Sequence, residues 1–173
     1  MPVPTFVWSE TNTGAAVTTD NIVQLVFAAT DQNSNTTNLA VSSLLIVPQL
    51  GSVFSFEKYL RLRVTQVASN SLSAFGIYFA AFPPEDAGLA TASVNTYYGT
   101  TSTYATPLNT TSLVATSLCA TNIAQPGVAI TTPANTIGAY SSYVVQQFKA
   151  TAGALGGNTI WPTPWTLLAY VYN

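Results

Sequence analysis

Short apolar runs separated by turn-forming residues are the feature that most limits the folds open to this chain. The runs are rich in Val, Ile, Thr and aromatic residues, and Gly, Pro, Asn, Asp and Ser lie between them. Their spacing, roughly one turn signal every 8–12 residues, predicts an all-β sandwich or barrel. The strongest runs are 22–29, 39–47, 59–67 and 74–82, and the weaker ones are 6–9, 53–56, 94–98, 112–118, 128–131, 140–148 and 165–172.

The run 59–67 gives the clearest strand signal because its side chains alternate. Apolar side chains at every second position from Leu60 to Val64 point to one face, whereas Arg61 and Arg63 point to the other. Such alternation is typical of a strand with one buried face. We therefore expect the two arginines to share the polar face of a sheet.

The expected architecture is a single domain over residues 1–173, folded as an eight-stranded jelly-roll barrel or sandwich with elaborated loops. Helix signals are poor: 84–87 begins with Pro and two acids, but Gly88 would end it early. The tract 140–148 also fits a helix, although its β-branched pair favours a strand. The longest loops are expected within 83–137.

The residue types that are missing exclude most catalytic chemistry. The chain has no histidine, one cysteine and ten charged residues, with a net charge of −2. Without histidine there is no Ser-His-Asp or Cys-His arrangement and no His-ligated metal site. Four basic residues cannot neutralise a row of phosphates, so direct nucleic-acid binding is not expected. We therefore predict a protein that is not an enzyme and has no cofactor. A carboxylate-pair glycosidase, tested at Glu85 and Asp86, is the remaining enzymatic alternative.

Two local features leave a structural and a functional interpretation open. Cys119 lies between Leu118 and Ala120, which favours a buried thiol, and the alternative is a disulfide between subunits. The alternation of Asp31, Asn33 and Asn35 favours a polar turn, and the alternative is an ion-binding loop.

Charge is concentrated in one place, at Glu57, Lys58, Arg61 and Arg63, which are four of the ten charged residues. One interpretation is a solvated sheet face with cross-strand ion pairs. The other is a contact surface between subunits, since an Arg–carboxylate pair is geometrically selective.

Aromatic residues form two further candidate sites. Tyr97 and Tyr98 are adjacent in the loop-rich half, and Trp161 and Trp165 flank two prolines before the last run. Packing within the chain is one explanation. The alternatives are anchors of a subunit interface or a platform on which sugars stack, because Trp and Tyr combine a large apolar area with a polar tip.

Charge is rare along the chain, and Thr, Ser and Asn supply most of its polar side chains. A polar surface with little charge is weakly repulsive and favours association between copies. The N-terminal residues lack a basic segment followed by an apolar one, and no apolar run reaches about 18 residues. We therefore expect synthesis in a cytoplasm, without a secretory signal or a membrane-spanning segment.

Three stretches resemble one known family. They are the start MPVPT, the segment FSFEKYLRLR at 54–63 and the segment WTLLAYVY at 165–172. Along its full length the chain resembles the smaller major capsid proteins of tailless Thermus phages with an internal membrane, of the sphaerolipovirus type. The resemblance implies a single upright β-barrel and homodimers that assemble with a larger coat protein around a lipid membrane. It implies no catalytic residues.

The functional expectation is therefore a structural subunit of an icosahedral capsid, made in a host cytoplasm and located in the virion. Its expected partners are a second copy, a larger capsid protein and a nearby internal membrane. The alternative is a carbohydrate-binding β-sandwich, such as a spike tip or a lectin-like module, with the Tyr and Trp residues as its platform.

Overall fold

The computed structural model describes residues 3–12, 17–35, 40–69, 71–79, 94–118, 128–154, 160–162 and 166–172. Within these residues the chain is all-β, with one turn of 3-10 helix at Val41–Ser43 and no α-helix. Five of the twelve strands have only two or three residues. In chain order the strands are β1 (Thr5–Asn12), β2 (Val17–Asp20), β3 (Gln24–Val26), β4 (Ser52–Phe54), β5 (Lys58–Gln66), β6 (Leu72–Phe79), β7 (Val94–Thr101), β8 (Ser117–Leu118), β9 (Val128–Ala129), β10 (Tyr143–Thr151), β11 (Ile160–Pro162) and β12 (Thr166–Tyr172).

The largest sheet has seven strands, with the order β2-β1-β5-β10-β7-β8 and with β4 paired to β10. All of its ladders are antiparallel. Its two central strands, β5 and β10, are far apart in sequence, so the centre of the sheet forms through long-range pairing.

Two smaller antiparallel sheets complete the described fold, one with the order β12-β6-β9 and one that joins β11 to β3. A bulge interrupts β6, where the register against β12 shifts. Ala74 lies at this point with φ of 52°, a left-handed conformation that glycine would adopt with less strain.

The inner face of the seven-stranded sheet packs against the smaller sheets and forms most of the core. One cluster joins Leu60 and Phe148 to Leu25 and Phe27, and the Phe27 and Phe148 rings stack with 5.8 Å between centroids. The other joins Leu62 and Val144 to Phe75, Ile77 and Ile130. Burying each of these large side chains contributes about 1.5–3 kcal/mol.

The outer face of the same sheet is covered by the irregular segment 104–116 instead of by a second sheet. Tyr59, Tyr143 and Val145 are buried there with Ala115, and Tyr104 packs against them. Gly99 in β7 allows this approach, because a Cβ at that position would lie 1.9 Å from the Val114 carbonyl oxygen.

The structure confirms an all-β fold and confirms strands over most of 59–67 and 140–148. The prediction of a strand over 39–47 is wrong for residues 40–47, which contain the 3-10 turn and no strand. Several of its apolar side chains are exposed at the surface, as described below, and no sheet buries them. The helical tract 84–87 lies outside the described residues.

Candidate functional site

The charged segment that begins at Glu57 is divided between the inside and the outside of the fold. Glu57 is 2% exposed and Lys58 is not exposed at all, whereas Arg61 and Arg63 are partly exposed on the outer face. The interpretation of Glu57 and Lys58 as a solvated face or as a subunit contact is therefore wrong, because both are buried within a single chain. It remains open for the two arginines.

Lys58 lies on the inner face, where it forms a fully buried ion pair with Glu10 of β1. Its Nζ is 2.8 Å from Glu10 Oε1, and neither side chain is exposed. Glu10 also accepts hydrogen bonds from Asn12 Nδ2, at 3.0 Å, and from the Ser34 backbone N–H, at 2.8 Å. A buried pair is stable only with such additional partners, because removing two charges from water is costly.

The same cluster anchors the turn that follows β3. Lys58 Nζ and Asn12 Nδ2 both donate to the Gln32 carbonyl oxygen, and Asn12 Nδ2 also lies 2.9 Å from Asp31 Oδ1. In the turn itself, Asn33 Oδ1 accepts from the Asn35 N–H at 2.7 Å. The Asp31 and Asn33 oxygens are thus bonded to donors of the chain itself, which supports the polar-turn interpretation.

Glu57 lies in a second buried cluster, which holds the segment 104–116 against the outer face. Its Oε2 accepts from the Leu108 N–H at 3.0 Å, and its Oε1 accepts from the Ser112 hydroxyl. Gln147 of β10 donates to the carbonyls of Leu108 and Thr110 and accepts from the Ser112 N–H. No described cation pairs with Glu57.

Three tyrosines pack together beside Glu57. The ring centroids of Tyr59 and Tyr104 are 5.2 Å apart, and those of Tyr59 and Tyr143 are 5.8 Å apart. Burial, together with the charge of Glu57, raises the pKa of Tyr59 from 10.0 to about 12. Burial and then the charge of Asp31 raise the pKa of Tyr104. Tyr59 and Tyr104 are therefore neutral at physiological pH, and their rings act as packing.

Arg61 and Arg63 form a partly exposed cluster with tyrosines and an acid. The Arg61 guanidinium lies 3.7 Å from the Tyr140 ring centroid and 4.9 Å from that of Tyr143, a cation–π arrangement. Arg63 pairs with Asp20 of β2 at 3.2 Å. Both arginines share one face, as expected, and the Arg63–Asp20 pair is consistent with the solvated-face interpretation, while the subunit-contact interpretation stays a prediction.

A cavity of about 230 Å³ opens on the outer face next to this covered region. The Phe54 and Tyr97 rings and the Lys149 side chain line it, and the Lys149 ammonium lies 5.5 Å from the Phe54 ring centroid. Gln147 also lines it, but its amide is already bonded to backbone groups of 55 and 104–116. The polar groups that remain for a ligand are mainly hydroxyls and one ammonium.

Tyr97 and Tyr98 lie on opposite faces of one strand. Tyr97 and Tyr98 are consecutive in β7 and therefore point to opposite faces: Tyr97 packs on the outer face, while Tyr98 lies opposite Gln146, an inner-face residue. Trp161 belongs to β11, where it pairs with Leu25. Trp165 lies outside the described residues. Tyr97 and Tyr98 therefore do not share one face of β7, and the part of the platform that involves the two tryptophans stays a prediction.

An exposed apolar segment is a site that the sequence interpretation missed. Val41, Ile46 and Leu50 are 81%, 76% and 88% exposed, and Leu44 is also exposed. Eight of the ten charged residues are described, and none of these eight is fully exposed. The signal in the sequence was an apolar run without alternation, which was interpreted as a buried strand.

Several other predictions concern residues outside the described part of the chain. Cys119, Glu85 and Asp86 all lie there, so the thiol and carboxylate-pair interpretations stay predictions. Among the described residues, no group of three His, Cys, Asp or Glu side chains could hold a metal ion. No described helix has the length and apolar character needed to cross a membrane.

Comparisons of the chain with protein-family models, with curated proteins and with solved structures found no match.

Proposed function

We propose that this chain is a structural subunit of an icosahedral viral capsid, which assembles with copies of itself and with a larger coat protein around an internal membrane. One observation carries the proposal: the exposed apolar segment 41–50, on a surface whose described part has no fully exposed charge. Interface centres are depleted of charge and enriched in apolar residues. The resemblance in the sequence supplies the particular assembly.

The energetics favour covering this segment. Each large apolar side chain that moves from water into an interface contributes about 1.5–3 kcal/mol. Contiguous apolar patches on a monomer usually mark an interaction site. Each contact contributes little free energy by itself. A closed shell is nevertheless stable, because many such contacts form together.

The eight-stranded jelly roll belongs to the same proposal. The support is the layered arrangement, in which a seven-stranded antiparallel sheet packs its inner face against two smaller antiparallel sheets.

Light scattering on the purified chain at tens of micromolar tests the proposal. We expect the mass of a dimer or a larger assembly. The double variant Ile46→Asp/Leu50→Asp should shift the mass toward one chain, because it places charge in the segment without touching the core. Leu113→Asp is the matched control, since Leu113 is 87% exposed but lies elsewhere. A folded wild-type chain that stays monomeric would contradict the proposal.

A second candidate function, carbohydrate binding, is favoured by the cavity beside Tyr97. Its volume of about 230 Å³ would accept one sugar ring against the Phe54 or Tyr97 face. A glycan array compares the wild type with Tyr97→Ala, and Tyr98→Ala serves as the control on the opposite face. No binding by the wild type would eliminate this candidate.

A further inference from the structure

A lysine, an asparagine and a glutamate meet at the end of the β1–β5 ladder. Thr11 faces Tyr59 in this ladder, so Asn12 and Lys58 are the next residue on each strand. Glu10 Oε1 lies 2.8 Å from Lys58 Nζ and 3.0 Å from Asn12 Nδ2. The Gln32 carbonyl oxygen also accepts from both nitrogens. Two nitrogens that share two acceptors are immediate neighbours.

We propose that Lys58 and Asn12 become joined by an intramolecular isopeptide bond, with Glu10 as the catalytic residue. The bond would connect Lys58 Nζ to Asn12 Cγ and tie β1 covalently to β5. The inference rests on these contacts alone and does not depend on the proposed capsid function.

The first step is a proton transfer from Lys58 Nζ to Glu10 Oε1. It converts the buried ion pair, whose two atoms are 2.8 Å apart, into a neutral amine and a neutral acid. The neutral amine then attacks Asn12 Cγ and forms a tetrahedral intermediate. A lysine amine becomes a nucleophile when it is desolvated next to a base in this way.

The second step expels the amide nitrogen. Glu10 gives its proton to Asn12 Nδ2, the Cγ–Nδ2 bond breaks, and the second proton of the attacking nitrogen leaves with the departing ammonia as ammonium. The reaction starts with one positive charge on protonated Lys58 and ends with one positive charge on the released ammonium. It therefore balances without an oxidant or a co-substrate. One oxygen that contacts both nitrogens can serve as base and then as acid.

The surroundings hold these groups in place. The Ser34 N–H fixes Glu10 Oε2 at 2.8 Å, and Asp31 Oδ1 lies 2.9 Å from the leaving nitrogen of Asn12. Positioning of this kind replaces an encounter in solution by a reaction between fixed neighbours, which greatly raises the effective concentration.

Lys149 provides an internal comparison. It also faces an asparagine across a ladder, Asn95 in β7. However, no described carboxylate pairs with Lys149, and its ammonium instead lies over the Phe54 ring. The reaction should therefore occur at Lys58 and not at Lys149.

Mass spectrometry of the denatured full-length protein tests the inference. The folded wild type should be lighter than its sequence by one ammonia, and tandem spectra should show a branched peptide that links Lys58 to Asn12. Asn12→Ser and Lys58→Met should keep the full mass. Glu10→Gln should slow the reaction about 100-fold or more, the usual contribution of a general acid–base.

Asn33→Ala is the matched control, because Asn33 lies in the same turn but contacts Thr19 and Asn35 instead of Glu10. It should lose ammonia as the wild type does. The inference is overturned if folded wild type, verified by circular dichroism and incubated for days, keeps its full mass. A link at Lys149, or an Asn12 that is only deamidated, would also overturn it.

Discussion

Two buried carboxylates on opposite faces of one sheet, Glu10 and Glu57, show different ways to keep an acid inside a protein. Glu10 has a lysine as its partner, and the pair joins two strands to a turn. Glu57 has no cationic partner among the described residues; its partners are the Leu108 N–H, the Ser112 hydroxyl and the Tyr59 side chain. Both carboxylates accept hydrogen bonds, but only the charge of Glu10 is balanced by an opposite charge.

The two clusters stabilise different parts of the fold. The Glu10 cluster lies within regular strands, where losing one partner leaves a charge with no route to water. The Glu57 cluster holds an irregular segment, which can move away and admit water if it is weakened. We therefore expect changes in the Glu10 cluster to lower the free energy of unfolding more than changes in the Glu57 cluster do. Changes in the Glu57 cluster should mainly loosen the segment 104–116 from the outer face.

The largest expected effect comes from Lys58→Met. In an Asn12→Ser background, where the isopeptide bond cannot form, it removes the cation and leaves Glu10 buried and unpaired, and breaking such a pair costs about 3–5 kcal/mol. Urea unfolding followed by circular dichroism measures the change. The double variant Glu10→Leu/Lys58→Met is the control. It removes both charges and should therefore recover much of the free energy that Lys58→Met loses through the unpaired charge. Equal losses in the single and double variants would show that unpaired charge is not the cause.

Gly99→Ala tests the cover of the outer face without altering charge. The new Cβ would lie 1.9 Å from the Val114 carbonyl oxygen, so the segment 104–116 must shift or β7 must bend. Overpacking against backbone costs about 1–3 kcal/mol, and we expect the upper end. Gly51→Ala is the matched control, since nothing lies within 4 Å of its Cβ position and only its φ of 75° opposes the change. Proteolysis within 104–116 should increase for Gly99→Ala alone.

The sequence predicted the strands better than it predicted the roles of their charged residues. Alternation from Leu60 to Val64 gave the inner and outer faces of β5 correctly, because burial on one face imposes a period of two. In the structure Lys58 and Glu10 also lie on the inner face, whereas the sequence analysis grouped Lys58 with the arginines as surface charge. Nothing local indicates that the two residues face each other, since their partnership depends on the pairing of β1 with β5. The strand prediction for 39–47 is wrong over residues 40–47 because apolar content alone does not distinguish a buried strand from an exposed surface segment.

Glu57→Gln should lower the free energy of unfolding less than Lys58→Met or Gly99→Ala does. The amide still offers one acceptor oxygen, but it places an NH₂ group against either the Leu108 N–H or the Ser112 hydroxyl. Weakening one buried hydrogen bond to a charged group costs about 1.5–3 kcal/mol, and removing a buried unpaired charge offsets part of that loss. We therefore expect a net loss of about 1 kcal/mol in urea unfolding. A loss as large as that of Lys58→Met would contradict the distinction between the two clusters.

The smallest effect concerns the titration of Tyr59 and is visible only at high pH. Its pKa is raised from 10.0 to about 12 in the folded chain, first by burial and then by the charge of Glu57. Because the folded pKa is the higher one, this contribution to stability is complete below pH 10 and is lost as the pH rises toward 12. Phenolate absorbance should show a late-titrating component that includes Tyr59, and Glu57→Gln should lower the pKa of Tyr59 by removing the nearby charge. Glu10→Gln is the control, since Glu10 lies on the inner face and should leave this titration unchanged. An equal shift in both variants would mean that loss of overall packing, and not the charge of Glu57, sets the pKa of Tyr59.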